Sequence, residues 1–249
     1  MRAILMYHSI DPSGSPISLD AETFRSHVRW LAGGRVRVVP LAEIESGNDD
    51  ADAVAITFDD GFVNFHDVAA PLLLEHGLPV TLFVVADEAG RTNAWGGREQ
   101  AGIPTLPLLD WPALARLAEA GVELGGHTRT HPPLAGLAAA RVADEVAGGA
   151  ERITIETGRR PASFAYPYGS HDGAAVAAVA AVFTRACTTE LRTLGAEERP
   201  HLLPRLDMYY YRRPGTLEAW GSAGFRLRLG LRGGLRRVRE AVRPAGRNL

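Results

Sequence analysis

The sequence predicts an α/β fold in which a mostly parallel sheet closes into a barrel. Short runs rich in β-branched and aromatic residues alternate with helical patterns along the 249 residues, an order typical of parallel sheets covered by helices. Seven or eight such runs occur, and none is followed by the glycine fingerprint of an open nucleotide-binding sheet. A chain of this length with 46% hydrophobic residues can fill one large core.

The strands are predicted at residues 3–7, 36–39, 54–58, 80–85, 122–125, 162–166, 181–187 and 203–207. Three of the intervening helices have clear ends. One over 23–31 follows Asp20 as its N-cap, one over 68–75 stops at Gly77, and one over 111–120 stops at Gly121.

The composition excludes several classes of function. A net charge of −2 gives no basic field, so we expect no nucleic-acid partner. Cys187 is the single cysteine, which excludes an internal disulfide, and the absence of lysine excludes Schiff-base chemistry. The apolar runs are too short to span a membrane, and the start "MRAILMYHSI" lacks a signal-peptide pattern. We therefore expect a cytoplasmic protein.

Two adjacent carboxylates, Asp59 and Asp60, follow the predicted strand 54–58 directly. Parallel barrels build their functional sites on the loops after the strands, so this position suits catalysis. An ordinary Asp-Asp-Gly turn is the alternative interpretation.

A histidine pair, His127 and His131 in "GGHTRTH", also follows a predicted strand. A pair at this spacing can arise by chance, but its position after a strand favours a shared site with the acids. One aspartate and two histidines make a three-ligand catalytic metal site, and a second aspartate can then act as general base toward water.

Two further loops offer the remaining groups that a hydrolase needs. The turn "SFAYPYGS" can present the backbone N–H of Tyr168 or Gly169 to an oxyanion. A plain aromatic-proline loop without a catalytic role is the alternative interpretation. His8, after the first strand, can protonate a leaving group, or it is a core histidine at a strand end.

Three motifs in this order, "TFDDG" at 57–61, "HTRTH" at 127–131 and "FAYPYG" at 164–169, resemble the polysaccharide deacetylase family. This is carbohydrate esterase family 4, the NodB-homology domain. The N-terminal "MYHSI" is similar to the branch of poly-N-acetylglucosamine deacetylases, in which circular permutation has moved the catalytic-acid histidine to the start of the domain. The resemblance covers residues 4–208.

This resemblance implies a distorted (β/α)7 TIM-like barrel that removes N-acetyl groups from an amino-sugar-containing saccharide or glycoconjugate. It implies Asp59 as the general base and His8 as the acid. It implies one divalent ion, usually Zn²⁺, on Asp60, His127 and His131. The backbone N–H of Tyr168 would help to hold the oxyanion.

One departure from the family pattern concerns the general base. Many members have an arginine, in a motif of the form RxPY, that orients this carboxylate, but here Ala165 occupies the position. We expect Arg205 or Asp207, at the end of the last predicted strand, to supply the contact instead; an ordinary surface ion pair is the alternative. His201 is a second candidate for the acid, since other members carry that histidine late in the chain.

Two segments lie outside the motifs. In the long loop 87–109, Trp95 is a candidate to stack on a sugar ring, or it packs a mobile insert. Residues 1–224 are assigned to the barrel and 225–249 to a basic amphipathic tail, which has eight arginines and one acid. The tail is interpreted either as a peripheral membrane contact or as a helix packed on the domain, and its three glycines weaken a continuous helix.

Two other functions remain open at this stage. The same site suits another C–N or ester bond, such as a formamide, a cyclic imide or an O-acetyl group. Alternatively, the missing arginine marks an inactive saccharide-binding relative. The sequence does not fix the oligomeric state.

Overall fold

The structure, a computed structural model, describes residues 1–45 and 51–242, with side chains described as far as residue 236. Its strands are β1 Arg2–Tyr7, β2 Ser9–Ile10, β3 Ser18–Leu19, β4 Arg37–Val38, β5 Ala53–Phe58, β6 Val80–Val84, β7 Glu123–Gly126, β8 Ser163–Ala165, β9 Arg185–Cys187 and β10 Leu206–Asp207. Its α-helices are α1 Ala21–Ala32, α2 Ala70–Glu75, α3 Trp111–Glu119, α4 Ala139–Ala143, α5 Gly149–Thr157, α6 Gly173–Val182 and α7 Ala223–Val242.

The main sheet is parallel throughout and follows the order β10-β1-β5-β6-β7-β8-β9, with β4 paired to the start of β5. The chain just before β10 meets β9 through a parallel bridge between Cys187 and Leu203. The two ends of the curled sheet are therefore joined, and the predicted distorted (β/α)7 barrel is confirmed.

Alternating side chains divide the core into an interior and an outer layer. Inside the barrel, small and medium side chains pack around Phe83, among them Ile4, Ala55, Ala165 and Cys187. The opposite faces of the same strands pack against the helices in two further clusters. The interior cluster matters for function because it lies beneath the residues at the carboxyl ends of the strands.

The helix ends follow the local sequence signals. Asp20 accepts a hydrogen bond from the backbone N–H of Thr23 at 2.9 Å, the N-cap that the sequence predicts, worth about 1 kcal/mol. Gly77 and Gly121 both have positive φ, at 63° and 102°, just beyond α2 and α3. Only glycine adopts this conformation without strain, so both helices end where predicted.

One predicted strand is corrected by the structure, and the C-terminal segment forms the helix that the sequence left open. The strand expected over 181–187 is shorter, because residues 181 and 182 close α6 and β9 begins only at Arg185. The glycines of the C-terminal segment do not interrupt its helix, since α7 runs continuously from Ala223 to Val242. Part of the predicted tail, residues 243–249, lies outside the described residues. Among the described helices, none has the length and apolarity that crossing a bilayer requires.

Candidate active site

The candidate functional residues converge at the carboxyl edge of the barrel. His8 follows β1, Asp59 and Asp60 follow β5, His127 follows β7, and the turn with Tyr168 follows β8. Because parallel strands in a barrel end on the same face, residues far apart in sequence meet there.

Asp60, His127 and His131 form a compact buried cluster. The Oδ1 atom of Asp60 lies 3.4 Å from Nε2 of His127 and 3.3 Å from Nε2 of His131, and the two Nε2 atoms are 3.2 Å apart. All three side chains are at most 7% exposed. Within the described residues, this trio has the arrangement of a metal-binding group.

The chemistry of this cluster fits a divalent cation. Asp60 Oδ1 is buried without a hydrogen-bond partner among the described residues, and two imidazole nitrogens point at it. A tetrahedral ion with bonds of about 2.0–2.1 Å separates its ligand atoms by about 3.3 Å, close to the three spacings observed. A cation would therefore satisfy all three atoms at once.

Hydrogen bonds at the far side of each imidazole set which nitrogen faces the cluster. Nδ1 of His127 donates to the carbonyl of Ala165 at 2.7 Å, and Nδ1 of His131 lies 3.2 Å from the Tyr168 hydroxyl. Nε2 of His127 therefore carries a lone pair for a ligand, as in many metal sites, and His131 can present Nε2 in the same way when its Nδ1 donates to the Tyr168 hydroxyl. Burial lowers the pKa of His131 by more than the neighbouring Asp60 raises it, which favours the neutral, ligating form.

Left-handed backbone conformations concentrate at this edge. Among the described non-glycine residues, those with positive φ are Asp60, Thr128, His131 and Tyr168, at 73°, 67°, 63° and 59°. Such conformations cost on the order of 1–3 kcal/mol each and persist only where surrounding contacts enforce them. All four lie in the acid, histidine or aromatic-proline motif.

Glu145 supplies one of the enforcing contacts, and it was not identified from the sequence. This fully buried carboxylate accepts the backbone N–H groups of Arg129 and Thr130, both at 2.9 Å, and the Thr130 hydroxyl at 2.6 Å. Arg141 lies 2.6 Å away and balances its charge. Glu145 thereby holds the loop between the two histidines. It lies in a π-helical turn, Asp144–Gly148, that no local sequence pattern predicts.

The glycines before His127 have a packing reason. A Cβ atom on Gly125 would lie 2.5 Å from the Phe83 ring, and one on Gly126 would lie 2.6 Å from the Phe183 ring. Only glycine lets β7 lie this close to both layers, and this places His127 at the end of the strand.

Asp59 is held by Arg205 in a bidentate pair. Nη1 and Nη2 of Arg205 lie 2.6 and 2.8 Å from the two carboxylate oxygens, and both residues are buried. The Arg205 Nε donates to the carbonyl of Thr188 at 2.9 Å, and the guanidinium lies over Phe83. Burial by itself raises the pKa of Asp59, but Arg205, with His8, outweighs it and keeps this pKa below its usual value.

Arg205 and Asp207, the two candidates to replace the missing arginine, have different partners. Asp207 accepts the backbone N–H of Tyr209 at 3.1 Å and lies 3.8 Å from Arg236, and burial raises its pKa. Of the two, Arg205 is the one that the structure brings to Asp59.

The two histidines considered for the acid also lie in different places. Nε2 of His8 is 3.7 Å from Oδ2 of Asp59, and its side chain is 20% exposed, so both protein and solvent reach it. His201 instead hydrogen-bonds the carbonyl of Phe183 at 2.9 Å, ahead of β9 at the amino end of that strand. His8 is therefore at the site and His201 is not.

The remaining candidates shape the rim of the site. Trp95 stacks on the ring of His131, with centroids 4.3 Å apart, so one face of the indole covers a candidate ligand. The N–H of Gly169 already donates to the carbonyl of Tyr166 at 2.8 Å. Of the two candidate oxyanion donors, the N–H of Tyr168 is the one that bonds no acceptor in the described part of the chain.

Two acids and two histidines thus gather at the carboxyl edge of a parallel barrel, and three of these four residues could hold one metal ion. The chain belongs to the polysaccharide deacetylase family, whose model matches residues 46–185, more than half of its length. The matched range includes Asp59, Asp60, His127, His131 and Tyr168 but neither His8 nor Arg205.

Individual proteins are also similar to this chain. A Bacillus subtilis (strain 168) protein named as a polysaccharide deacetylase, YxkH, is 24% identical over 174 residues, 68% of this chain. The alignment spans only 57% of that relative's length. IcaB from Ammonifex degensii superposes with a TM-score of 0.72 at 22% identity, covering 89% of this chain and 97% of IcaB. Streptococcus pyogenes deacetylase PplD, solved in complex with acetate, gives 0.69 at 19% identity, covering 82% and 91%. At these identities, the two structures support the fold.

Proposed function

We propose that the protein is a metal-dependent hydrolase that removes N-acetyl groups from an amino-sugar-containing saccharide or glycoconjugate. The observation that carries the proposal is the buried Asp59–Arg205 pair directly beside the cluster of Asp60, His127 and His131. An ionised carboxylate next to a three-ligand site with open positions is what hydrolysis of an unactivated amide requires.

Asp60, His127 and His131 would hold the ion, and one oxygen with two imidazole nitrogens is a donor set that suits Zn²⁺. When bound, the ion supplies Lewis-acid polarisation and lowers the pKa of water at the site. The zinc identity is part of the proposal, as is the cytoplasmic location expected from the sequence.

Asp59 acts on the attacking water, Tyr168 on the oxyanion and His8 on the leaving nitrogen. Asp59 accepts a proton from the attacking water while Arg205 holds both of its oxygens in place. The N–H of Tyr168 donates to the oxyanion that forms when the water oxygen bonds to the amide carbon. His8 gives a proton to the leaving nitrogen as the C–N bond breaks, and acetate and a free amine result.

The alternative of an inactive saccharide-binding relative was suggested by the missing arginine. The bidentate contact of Arg205 with Asp59 supports a working general base instead. Hydrolysis of a formamide, a cyclic imide or an O-acetyl ester remains the alternative outcome of the experiment below.

The proposed function is tested by measuring acetate release from a panel of N-acetylated saccharides. We expect release by protein reconstituted with Zn²⁺, loss of release after chelation, and recovery when the ion is returned, because Asp60 and the two imidazoles alone do not activate water. Activity only on small amides or esters would favour the alternative reaction. No release from any substrate by protein that binds Zn²⁺ would overturn the proposal.

The acid is tested by comparing two histidine variants in the same assay. We expect His8→Ala to lower acetate release by about 10²- to 10⁴-fold, because the leaving amine loses its proton donor. His201→Ala is the matched control and should retain activity near wild type, since its ring bonds a carbonyl at the other end of the barrel. A large loss in His201→Ala with full activity in His8→Ala would reverse the assignment.

A further inference from the structure

The C-terminal helix α7 is docked on the barrel by one of its faces. Phe225 and Leu229 are buried in the main core cluster, at 4% and 8% exposure. A Cβ atom on Gly233 would lie 2.7 Å from the carbonyl oxygen of Leu191, so this glycine allows the helix to approach closely. The helix is thus a fixed part of the domain as far as its side chains are described.

The opposite face of α7 exposes a row of leucines. Leu227, Leu231 and Leu235 are 65%, 60% and 62% exposed, and their four-residue spacing aligns them in one stripe along the helix. Three other large hydrophobic side chains are exposed in the described part of the chain: Leu74 at 37%, Ile155 at 70% and Tyr168 at 39%. They lie on three separate elements. A contiguous stripe of this kind marks a surface that another apolar phase covers.

The charges around the stripe indicate what that phase is. Residues 223–236 include Arg226, Arg228, Arg232 and Arg236 and no acidic residue. Arg226 and Arg228 are exposed and form no ion pair within the described part of the chain. Leucines bordered by unpaired guanidinium groups match a bilayer, where hydrocarbon accepts the leucines and anionic headgroups accept the arginines.

A second copy of the chain fits this face less well. Pairing two α7 helices along their leucine stripes would bring arginine rows together, with no carboxylate on residues 223–236 to neutralise them. An anionic lipid surface provides the missing countercharge.

The position of α7 links this surface to the active site. Arg236 lies 3.8 Å from Asp207 at the end of β10, and Arg232 donates to the carbonyl of Tyr210 in the turn that follows. Both contacts are at the carboxyl edge of the barrel, where β10 neighbours β1 and therefore His8. A bilayer that covers the stripe would adjoin the edge that carries the site.

We propose that α7 docks the protein on an anionic membrane surface through Leu227, Leu231 and Leu235, assisted by Arg226 and Arg228. Resting on the proposed deacetylase function, the proposal extends to the substrate: an N-acetylated sugar carried on a lipid in that surface.

Docking is tested by flotation of the full-length protein with phosphatidylcholine vesicles, with and without about 30 mol % phosphatidylglycerol. We expect wild type to float with the anionic vesicles and to be released by high salt, because the arginine contribution is screened. The variant with Leu227, Leu231 and Leu235 all changed to serine should bind at least about tenfold less, since binding scales with the apolar area that enters the membrane.

Matched variants separate docking from general effects on folding. Leu74→Ser with Ile155→Ser removes exposed apolar side chains elsewhere and should float as wild type does. Arg226→Gln with Arg228→Gln should lose the preference for anionic vesicles. Failure of wild type to float, equal flotation of the triple-serine variant, or a leucine-dependent dimer in solution would each overturn docking.

The substrate part is tested with a hexadecyl N-acetylglucosaminide in anionic vesicles and with soluble N-acetylglucosamine oligomers. We expect the triple-serine variant to lose activity on the vesicle-held lipid while it deacetylates the soluble oligomers at the wild-type rate. Equal activity of both proteins on the vesicle-held lipid would overturn this part. Flotation without acetate release from any substrate would overturn the proposed function and leave docking in place.

Discussion

Acetate release by the Asp59→Asn variant should fall by about 10²- to 10⁴-fold, the contribution of a general base, while the metal stays bound. Asparagine keeps the size of the side chain but cannot take a proton from water. Asp60, His127 and His131 are unchanged, so Zn²⁺ affinity measured by titration calorimetry should stay close to wild type. The measurement is acetate release by the zinc-loaded protein, alongside its metal content.

Asp60→Asn is the matched control, because it makes the same chemical change one residue away. It removes the charged oxygen that lies 3.3 and 3.4 Å from the two imidazoles, so we expect it to lose Zn²⁺ affinity as well as activity. If Asp59→Asn lost the metal and Asp60→Asn kept it, the roles of the two acids would be exchanged. Full activity in Asp59→Asn would remove the general base from the mechanism.

The convergence of the site was predictable because it follows from strand ends. Asp59, His127 and Tyr168 each come after an apolar run, and in a parallel barrel such positions share one edge. The family resemblance added roles to these residues, and the confirmed barrel places them together. Local sequence order was sufficient here because each motif is carried by a single loop.

Contacts made across the barrel were not predictable in the same way. The sequence left both Arg205 and Asp207 as candidates, since they lie two residues apart in the last predicted strand, 203–207, and the contacts of each depend on how the sheet curls. Glu145 was missed because the backbone N–H groups that donate to it lie 15 and 16 residues earlier, on a loop whose shape depends on that same contact. Tertiary packing determines such pairings, and the hydrophobic periodicity of the sequence does not predict them.

The C-terminal helix shows the limit of propensity arguments. Gly230, Gly233 and Gly234 each cost about 1 kcal/mol in a helix interior, so from the sequence alone they weaken a continuous helix. Burial of Phe225 and Leu229 against the barrel offsets part of this cost, and the close approach at Gly233 makes one glycine useful. Tertiary contacts therefore stabilise a continuous helix that the low helix propensity of its glycines disfavours.

Removing the charge of Arg205 should shift the pH dependence of the reaction. In wild type the pKa of Asp59 is held below its usual value by Arg205 against the effect of burial, and the base is active only when ionised. Activity is therefore present above this pKa and lost as pH falls through it. In Arg205→Met burial remains and the guanidinium does not, so the acid limb of the kcat/KM profile should move to higher pH and kcat should fall.

The same change should lower stability, because it leaves Asp59 buried without its partner. Breaking a buried pair in this way costs about 3–5 kcal/mol, which denaturant unfolding above pH 5 would measure. Arg205→Lys keeps a charge but loses the bidentate contact, so we expect a smaller shift of the acid limb and an intermediate loss of kcat. A purely structural role would lower the amount of folded enzyme without moving the pH profile.

A double variant tests whether the arginine can act from residue 165, the position that the family motif of the form RxPY gives it. Ala165 belongs to the same interior cluster as Phe83, the ring over which the Arg205 guanidinium lies. In the double variant Ala165→Arg, Arg205→Ala we expect the acid limb to return toward wild type and part of kcat to recover. If the single variant Arg205→Met already keeps the wild-type acid limb, then Arg205 does not keep Asp59 ionised. If Arg205→Met moves the acid limb and the arginine at residue 165 fails to restore that limb, then the function depends on more than the charge of Arg205. It then also depends on the direction from which the chain just before β10 presents the guanidinium.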